Sequence, residues 1–209
     1  MLEFSRNQYQ AICDCGWVST VTQYEEAKGQ IELCLQNSLY QEDQFAAACD
    51  YVNLGDIICE LAYCKDAITQ FEAARMIFKE LRDVKRTGDM DIYIARCYNH
   101  LEDGVVAESY ASRAVGVFES LAISEKTAQS YSQMGRALIN QSKFEEALIW
   151  LERAYQTVVA KPPLNFDGIY VIQELKIEVL QALGRDNEAN ELLRRNAALN
   201  ETLKYEEAN

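Results

Sequence analysis

The side chains in this chain that could do chemistry are few, and their spacing excludes most reactions. The single histidine, His100, has Glu102 and Asp103 close by, but no serine or cysteine nucleophile signature accompanies it. Its position at the end of a helical stretch suits a solvated or capping role. The seven cysteines (Cys13, Cys15, Cys34, Cys49, Cys59, Cys64, Cys97) are odd in number and include no Cys-x-x-Cys pair. They support neither a disulfide framework nor a tetrahedral zinc site, and read as small apolar packing residues in a reducing cytosol. Neither a glycine-rich phosphate loop nor a helix with paired metal-ligating histidines is present. Glu25-Glu26 and Glu145-Glu146 suit helix starts, where the backbone dipole favours acids, rather than acid/base catalysis. The expectation is a non-enzyme with no metal and no cofactor. One constellation remains: Arg96 and Arg136 stand forty residues apart. Planar guanidinium groups grip carboxylates through paired hydrogen bonds.

The elements that must position these arginines follow from periodicity. From Tyr131 to Val158, Tyr131, Met134, Gly135 and Leu138 share one helical face, and Ala147, Leu151 and Ala154 share another. A polar break at Asn140-Gln141-Ser142 separates the two helices. Small residues at Gly135 and Ala147 let their backbones approach closely. The pattern recurs: Ala27, Ala67, Ala107 and Ala147 lie forty apart, and Ala189 follows forty-two further on. A second small position reads Cys34, Ala74, Ala114, Ala154 and Asn196, and the first-helix small position reads Cys15, Gly55, Ala95 and Gly135. Helices are expected near 5–19, 23–38, 42–61, 64–82, 87–101, 104–121, 124–140, 144–159, 167–183 and 186–204. Pro162-Pro163 ends the fourth pair, since proline lacks the donor that a helix interior needs. Lys176 and Asn196 break the pattern in the fifth pair, which reads as a cap with its outer side in water and a frayed end over 205–209.

These helix pairs resemble tetratricopeptide (TPR) repeats. The order of aromatic, Met-Gly, Phe-Glu-Glu-Ala and final Ala carries the likeness. The long forty-residue period is similar to that of kinesin-light-chain-like and Leu-Gly-Asn-type adaptors and of bacterial peptide-sensor domains. The resemblance implies an all-α fold, a right-handed superhelical solenoid of about five repeats. It would form a single array over 1–209, with repeats near 5–40, 41–82, 83–122, 123–160 and 165–206. It also implies a concave groove lined by the first helix of each pair. The stripe that would face this groove supplies the candidate binding residues Asn53, Asp56, Tyr93, Arg96, Asn99, Gln133, Arg136 and Asn140, with Val171, Glu174, Glu178 and Gln181 in the fifth pair.

Composition bounds the partner. The 209 residues are 49% hydrophobic with two prolines, and the net charge is −13. Such a surface repels a phosphate backbone and an anionic bilayer, so neither nucleic acid nor membrane is expected. No apolar run is long enough to span a bilayer, and no basic-plus-apolar N-terminal signal occurs; the expected location is cytoplasmic. The basic stretch Arg75–Arg86 suits a solvated helix end, where cations meet the C-terminal dipole, or a dock for an acidic partner. The function expected is a non-catalytic adaptor or scaffold that holds an extended or helical protein segment, acidic in part, in the groove. The alternatives are a self-associating structural module, joined through its terminal repeats, or the sensor part of a larger signalling regulator. Arg96 and Arg136 have two competing fates: a ligand carboxylate, or ion pairs with the groove acids Asp56, Asp89, Glu174 or Glu178.

Overall fold

The computed structural model describes residues 21–160 and 166–207, and every regular element among them is an α-helix. These are α1 (Val21–Tyr40), α2 (Gln44–Glu60), α3 (Cys64–Glu80), α4 (Val84–His100), α5 (Gly104–Leu121), α6 (Ser124–Asn140), α7 (Phe144–Val159), α8 (Phe166–Ala182) and α9 (Asp186–Glu207). They match the expected helices within a few residues, except that α9 continues through 205–207, where a frayed end was expected. The expected helix over 5–19 and the Pro162-Pro163 break lie outside the described residues. The chain divides into two compact units, the first ending at Arg82 and the second beginning at Asp83.

The joints follow a twenty-residue rhythm. Glu42, Ala62, Arg82, Glu102, Ala122 and Ser142 all adopt left-handed backbone, with φ between 54° and 65°. Each stands just past a helix end, where a left-handed residue lets two further amides turn back onto the orphaned carbonyls. At Ser142 that amide donates to the Ile139 carbonyl at 2.8 Å, and the Lys143 amide reaches the Leu138 carbonyl at 2.9 Å. The same pair of bonds closes the helices before Asp43, Tyr63, Asp103, Ile123 and Arg185. The next helix starts at once. Asp43, Asp83 and Asp103 cap the new N-termini, accepting from the amides of Ala46, Arg86 and Val106 at 2.9–3.2 Å. Ile123 has no capping oxygen and instead packs on Phe118.

Within the first unit, α2 and α3 cross where Gly55 meets Phe71. A Cβ on Gly55 would stand 2.6 Å from that ring. The second unit repeats the arrangement: a Cβ on Gly135 would stand 2.6 Å from Leu151 Cδ2 and 3.6 Å from the Ala147 carbonyl oxygen. The expected close approach of Gly135 and Ala147 is therefore present. In the third pair the same register holds two small residues, Ala95 and Ala111, both completely buried. Gly104 is as tight: a Cβ there would lie 2.5 Å from the backbone oxygen of Ala137. The signature alanines Ala67, Ala74, Ala107, Ala114, Ala147, Ala154 and Ala189 are all completely buried. Around them pack Phe71 and Phe78 in the first unit, and Phe118, Leu138, Leu151 and Val179 in the second.

The fifth pair corrects one expectation. Asn196 and Lys176 were expected on a water-facing side, yet Asn196 is only 3% exposed. Neither its Nδ2 nor its Oδ1 has a hydrogen-bond partner among the described residues. Lys176 lies mostly covered over the Tyr155 ring, with its ammonium on Glu152 at 2.5 Å. The polar replacements thus occupy packing positions rather than the solvent side. Asn196 puts a polar group into the packing of α9, and Lys176 does the same where α8 meets α7.

Three measurements check this account. Gly135→Leu and Gly55→Leu should each lower stability by about 1–3 kcal/mol or more, because the side chain that must move is itself buried; thermal melts unchanged by either substitution would contradict the crossing. Conversely, Ala62→Gly and Ala122→Gly should each raise stability by about 0.5–1 kcal/mol, since glycine adopts the left-handed turn without a Cβ penalty. A lower melting temperature in both would show that those residues are not held at positive φ.

The third concerns Asp50, 2% exposed, which accepts a hydrogen bond from Ser38 at 2.7 Å. Burial raises its pKa above 3.8 and outweighs the Ser38 hydrogen bond that lowers it, with Asp43 adding repulsion. A carboxyl whose folded pKa is raised takes its proton first in the folded state. Its destabilising charge is therefore fully present at neutral pH, and is relieved as pH falls from the raised value towards 3.8. Asp50→Asn should accordingly melt higher than the parent at pH 7, with the gap closing towards pH 4. A gap independent of pH would exclude a buried charge at this position.

Candidate peptide-binding face

Helices α4, α6 and α8 are the first helices of three successive pairs, and in the second unit α6 packs between the other two. Because each pair is built from the same helix-and-turn lengths, equivalent residues line up across them. Asn99 and Asn140 stitch α4 to α6. Asn99 Nδ2 donates to the backbone oxygen and the side-chain oxygen of Gln133, both at 3.0 Å, and Asn140 Nδ2 donates to the Asn99 carbonyl at 2.9 Å. Asn99 is 7% exposed, so its amide serves the scaffold at this joint. Gln133 and Asn140 are half-buried along the same seam.

Arg136 carries the link onward to α8. One guanidinium nitrogen of Arg136 contacts both carboxylate oxygens of Glu178, at 2.9 and 3.2 Å. The pair is open to water, with the two side chains 39% and 46% exposed. Of the two fates open to Arg136, the ion pair with Glu178 is the one observed. An exposed pair of this kind is worth only about 0–1 kcal/mol, so a ligand carboxylate could replace Glu178 at small cost.

At the equivalent place on α4, the Arg96 guanidinium lies over the Tyr93 ring at 5.2 Å. Lys126, from the first turn of α6, approaches the same ring at 5.9 Å and pairs with Asp89 at 3.0 Å. Burial works against the Lys126 charge, but the hydrogen bond and charge of Asp89, helped by Tyr93 and Glu125, more than offset it and hold the ammonium above its usual pKa. Tyr93 is thus a half-buried ring touched by two cations. Lys126 was not among the residues read from sequence, because the expected residues on α6 began two turns later at Gln133. Its spacing, seven residues before Gln133 and so on the same helical face, was the available signal.

In the first unit, Asn53 and Asp56 lie one turn apart on α2, and both are half-buried. His100 is exposed in the last turn of α4, as a helix-end role requires. Among the described residues, no group of three or more His, Cys, Asp or Glu side chains could hold a metal ion, and no helix is long and apolar enough to cross a membrane. A separate cavity of about 640 Å³ lies between α7, α8 and α9, floored by Leu148, Leu180 and Leu192. Much of the charge at its rim is already taken up, with Lys176 on Glu152, Arg185 on Glu188 and Arg195 on Glu191.

Fold and face together define an all-α protein built from consecutive TPR-like helix-turn-helix repeats. Solved structures of that class are similar to it. A single-substitution variant of the kinesin-light-chain-like TPR-like repeats of Podosopora anserina superposes with a TM-score of 0.75 at 17% identity, covering 96% of each chain. A second structure of those repeats gives 0.72 at 18% identity and 95% coverage of both chains. BtubC (BKLC) from P. vanneervenii gives 0.69 at 16% identity, over 95% of this chain and 77% of that one. At such identities the likeness is one of fold. No protein-family model matches the chain, and no curated protein matches it.

Proposed function

We propose that this chain is a non-catalytic adaptor that holds a segment of another protein on the face of its first helices, with Arg96 and Arg136 receiving an acidic side chain or a C-terminal carboxylate. The observation that carries the reading is the register of the two arginines: one is stacked on Tyr93, and the other is held only by an exposed ion pair. A stacked guanidinium is oriented before the ligand arrives, which lowers the ordering cost of binding. Gln133 beside them adds an amide nitrogen suited to a peptide backbone, while the Asn140 amide is already taken up by the Asn99 carbonyl. The TPR-like fold supports this reading, since stacked helix pairs create extended surfaces whose outward residues need not serve packing. The net charge of −13 supports a protein segment over nucleic acid or a bilayer surface. A cytoplasmic setting belongs to the same proposal.

The test is a double substitution. Affinity capture with the parent chain would supply a partner, and calorimetry would compare parent and Arg96→Ala/Arg136→Ala. Loss of two charge-assisted hydrogen bonds at about 1.5–3 kcal/mol each should weaken binding roughly 10²-fold or more. The melting temperature should change little, because the Arg136 pair is exposed and worth at most about 1 kcal/mol. Unchanged affinity would mean that the partner docks elsewhere on the chain.

A further inference from the structure

The face in the second unit is electrically lopsided. Arg96, Lys126 and Arg136 come from α4 and α6; Lys126 is paired with Asp89 of α4, so the arginines carry the excess positive charge. On α8 the corresponding stripe holds Glu174 and Glu178, both exposed. Lys176, the one cation of α8, is mostly covered and bonded to Glu152. The α8 end also shows apolar surface: Val171 is 53% and Tyr170 39% exposed, within one turn of Glu174. Cations thus stand at one end, and acids beside an exposed apolar pair at the other.

We infer that the segment bound on this face is dipolar: an acidic residue over α4 and α6, and an apolar residue next to a lysine or arginine over α8. The inference rests on the reading that this face takes an extended protein segment, and it adds the order of chemistry along that segment. Its length follows from packing. Neighbouring helix axes lie about 8–10 Å apart, so α4 to α8 spans roughly 16–20 Å. An extended chain rises about 3.3 Å per residue, which places the cation about five or six residues from the acid. Complementary charge of this kind sets the direction and register of a bound segment. A uniformly acidic segment would meet Glu174 and Glu178 at its far end, and a uniformly basic one would meet Arg96 and Arg136.

The probe is a phage-displayed library of random dodecapeptides, selected on the full chain, on Glu174→Lys and on Arg96→Ala/Arg136→Ala. The melting temperature of each variant would be checked first, with Glu174→Gln as a milder second variant. Sequences enriched on the parent should carry Asp or Glu and, four to seven positions away, an aliphatic or aromatic residue beside Lys or Arg. A synthetic peptide from that set should bind Glu174→Lys about five- to tenfold more weakly, as an attraction becomes a repulsion. Selection on Glu174→Lys should lose the cation while keeping the acid. If the parent enriches peptides acidic throughout, or if Glu174→Lys still demands the cation, the dipolar order is wrong, while the acid-binding role of the arginines stands. If the arginine double variant enriches the same sequences as the parent, or the parent enriches none, both readings fall.

Discussion

Everything in this chain depends on helix ends that turn at a fixed interval. Left-handed residues recur every twenty positions from Glu42 to Ser142. Each ends one helix and starts the next within three residues, leaving helices of 17 or 18 residues between them. Equal helices give equal crossings, so a small residue at one register always meets its partner at the same height: Gly55 with Phe71, and Gly135 with Leu151. The same equality carries residues outside the core into alignment. Arg96 and Arg136 are equivalent because two helix-and-turn units of twenty residues lie between them. A one-residue insertion within one of these first helices would rotate the residues beyond it by about 100° and move that part of the outward stripe away from the shared face.

The sequence made the forty-residue repeat legible because the signature alanines lie at the tightest contacts, where only a small side chain fits. The twenty-residue rhythm was hidden by chemistry. Left-handed joints are usually marked by glycine, but here they are Glu42, Ala62, Arg82, Glu102, Ala122 and Ser142, and among the described residues only Gly184 carries the expected residue. Two hydrogen bonds at five of these six helix ends, and capping aspartates at three of the starts, hold residues that glycine would suit better. The departures at Lys176 and Asn196 were visible, but their side was not. A polar residue at a packing position looks the same in sequence whether it faces water or is covered. Only the packing shows that Lys176 reaches Glu152 across Tyr155, and that Asn196 is enclosed.

The candidate face was partly legible for a related reason. Stripe counting located Tyr93, Arg96, Gln133 and Arg136 on first helices, because helical periodicity alone determines the face on which a residue emerges. It could not divide that face between ligand and scaffold. Asn99 and Asn140 share the polarity of their neighbours, yet their amides reach across to hold α4 against α6. Buried amides so used are part of the frame, and the arginines stand on a surface kept in register by them. Lys126 escaped notice because it belongs to a helix start rather than to the stripe, though the folded chain places it against Tyr93 and Asp89.

A cationic site in a chain of net charge −13 poses an electrostatic problem. At physiological ionic strength the screening length is about 8 Å, so an approaching segment feels only the charges near its contact. Beyond that distance, the acidic surface offers an acidic segment little attraction. Such a segment would bind through local contacts and associate without much steering. A segment of mixed charge avoids this difficulty. Its net charge is near zero, so the general field neither repels nor captures it, while each end finds its complement on contact. The Arg136–Glu178 pair lies at the boundary between the two ends. Each member can exchange its partner for a ligand group of the same sign, so a dipolar segment could replace the pair without leaving either charge uncompensated.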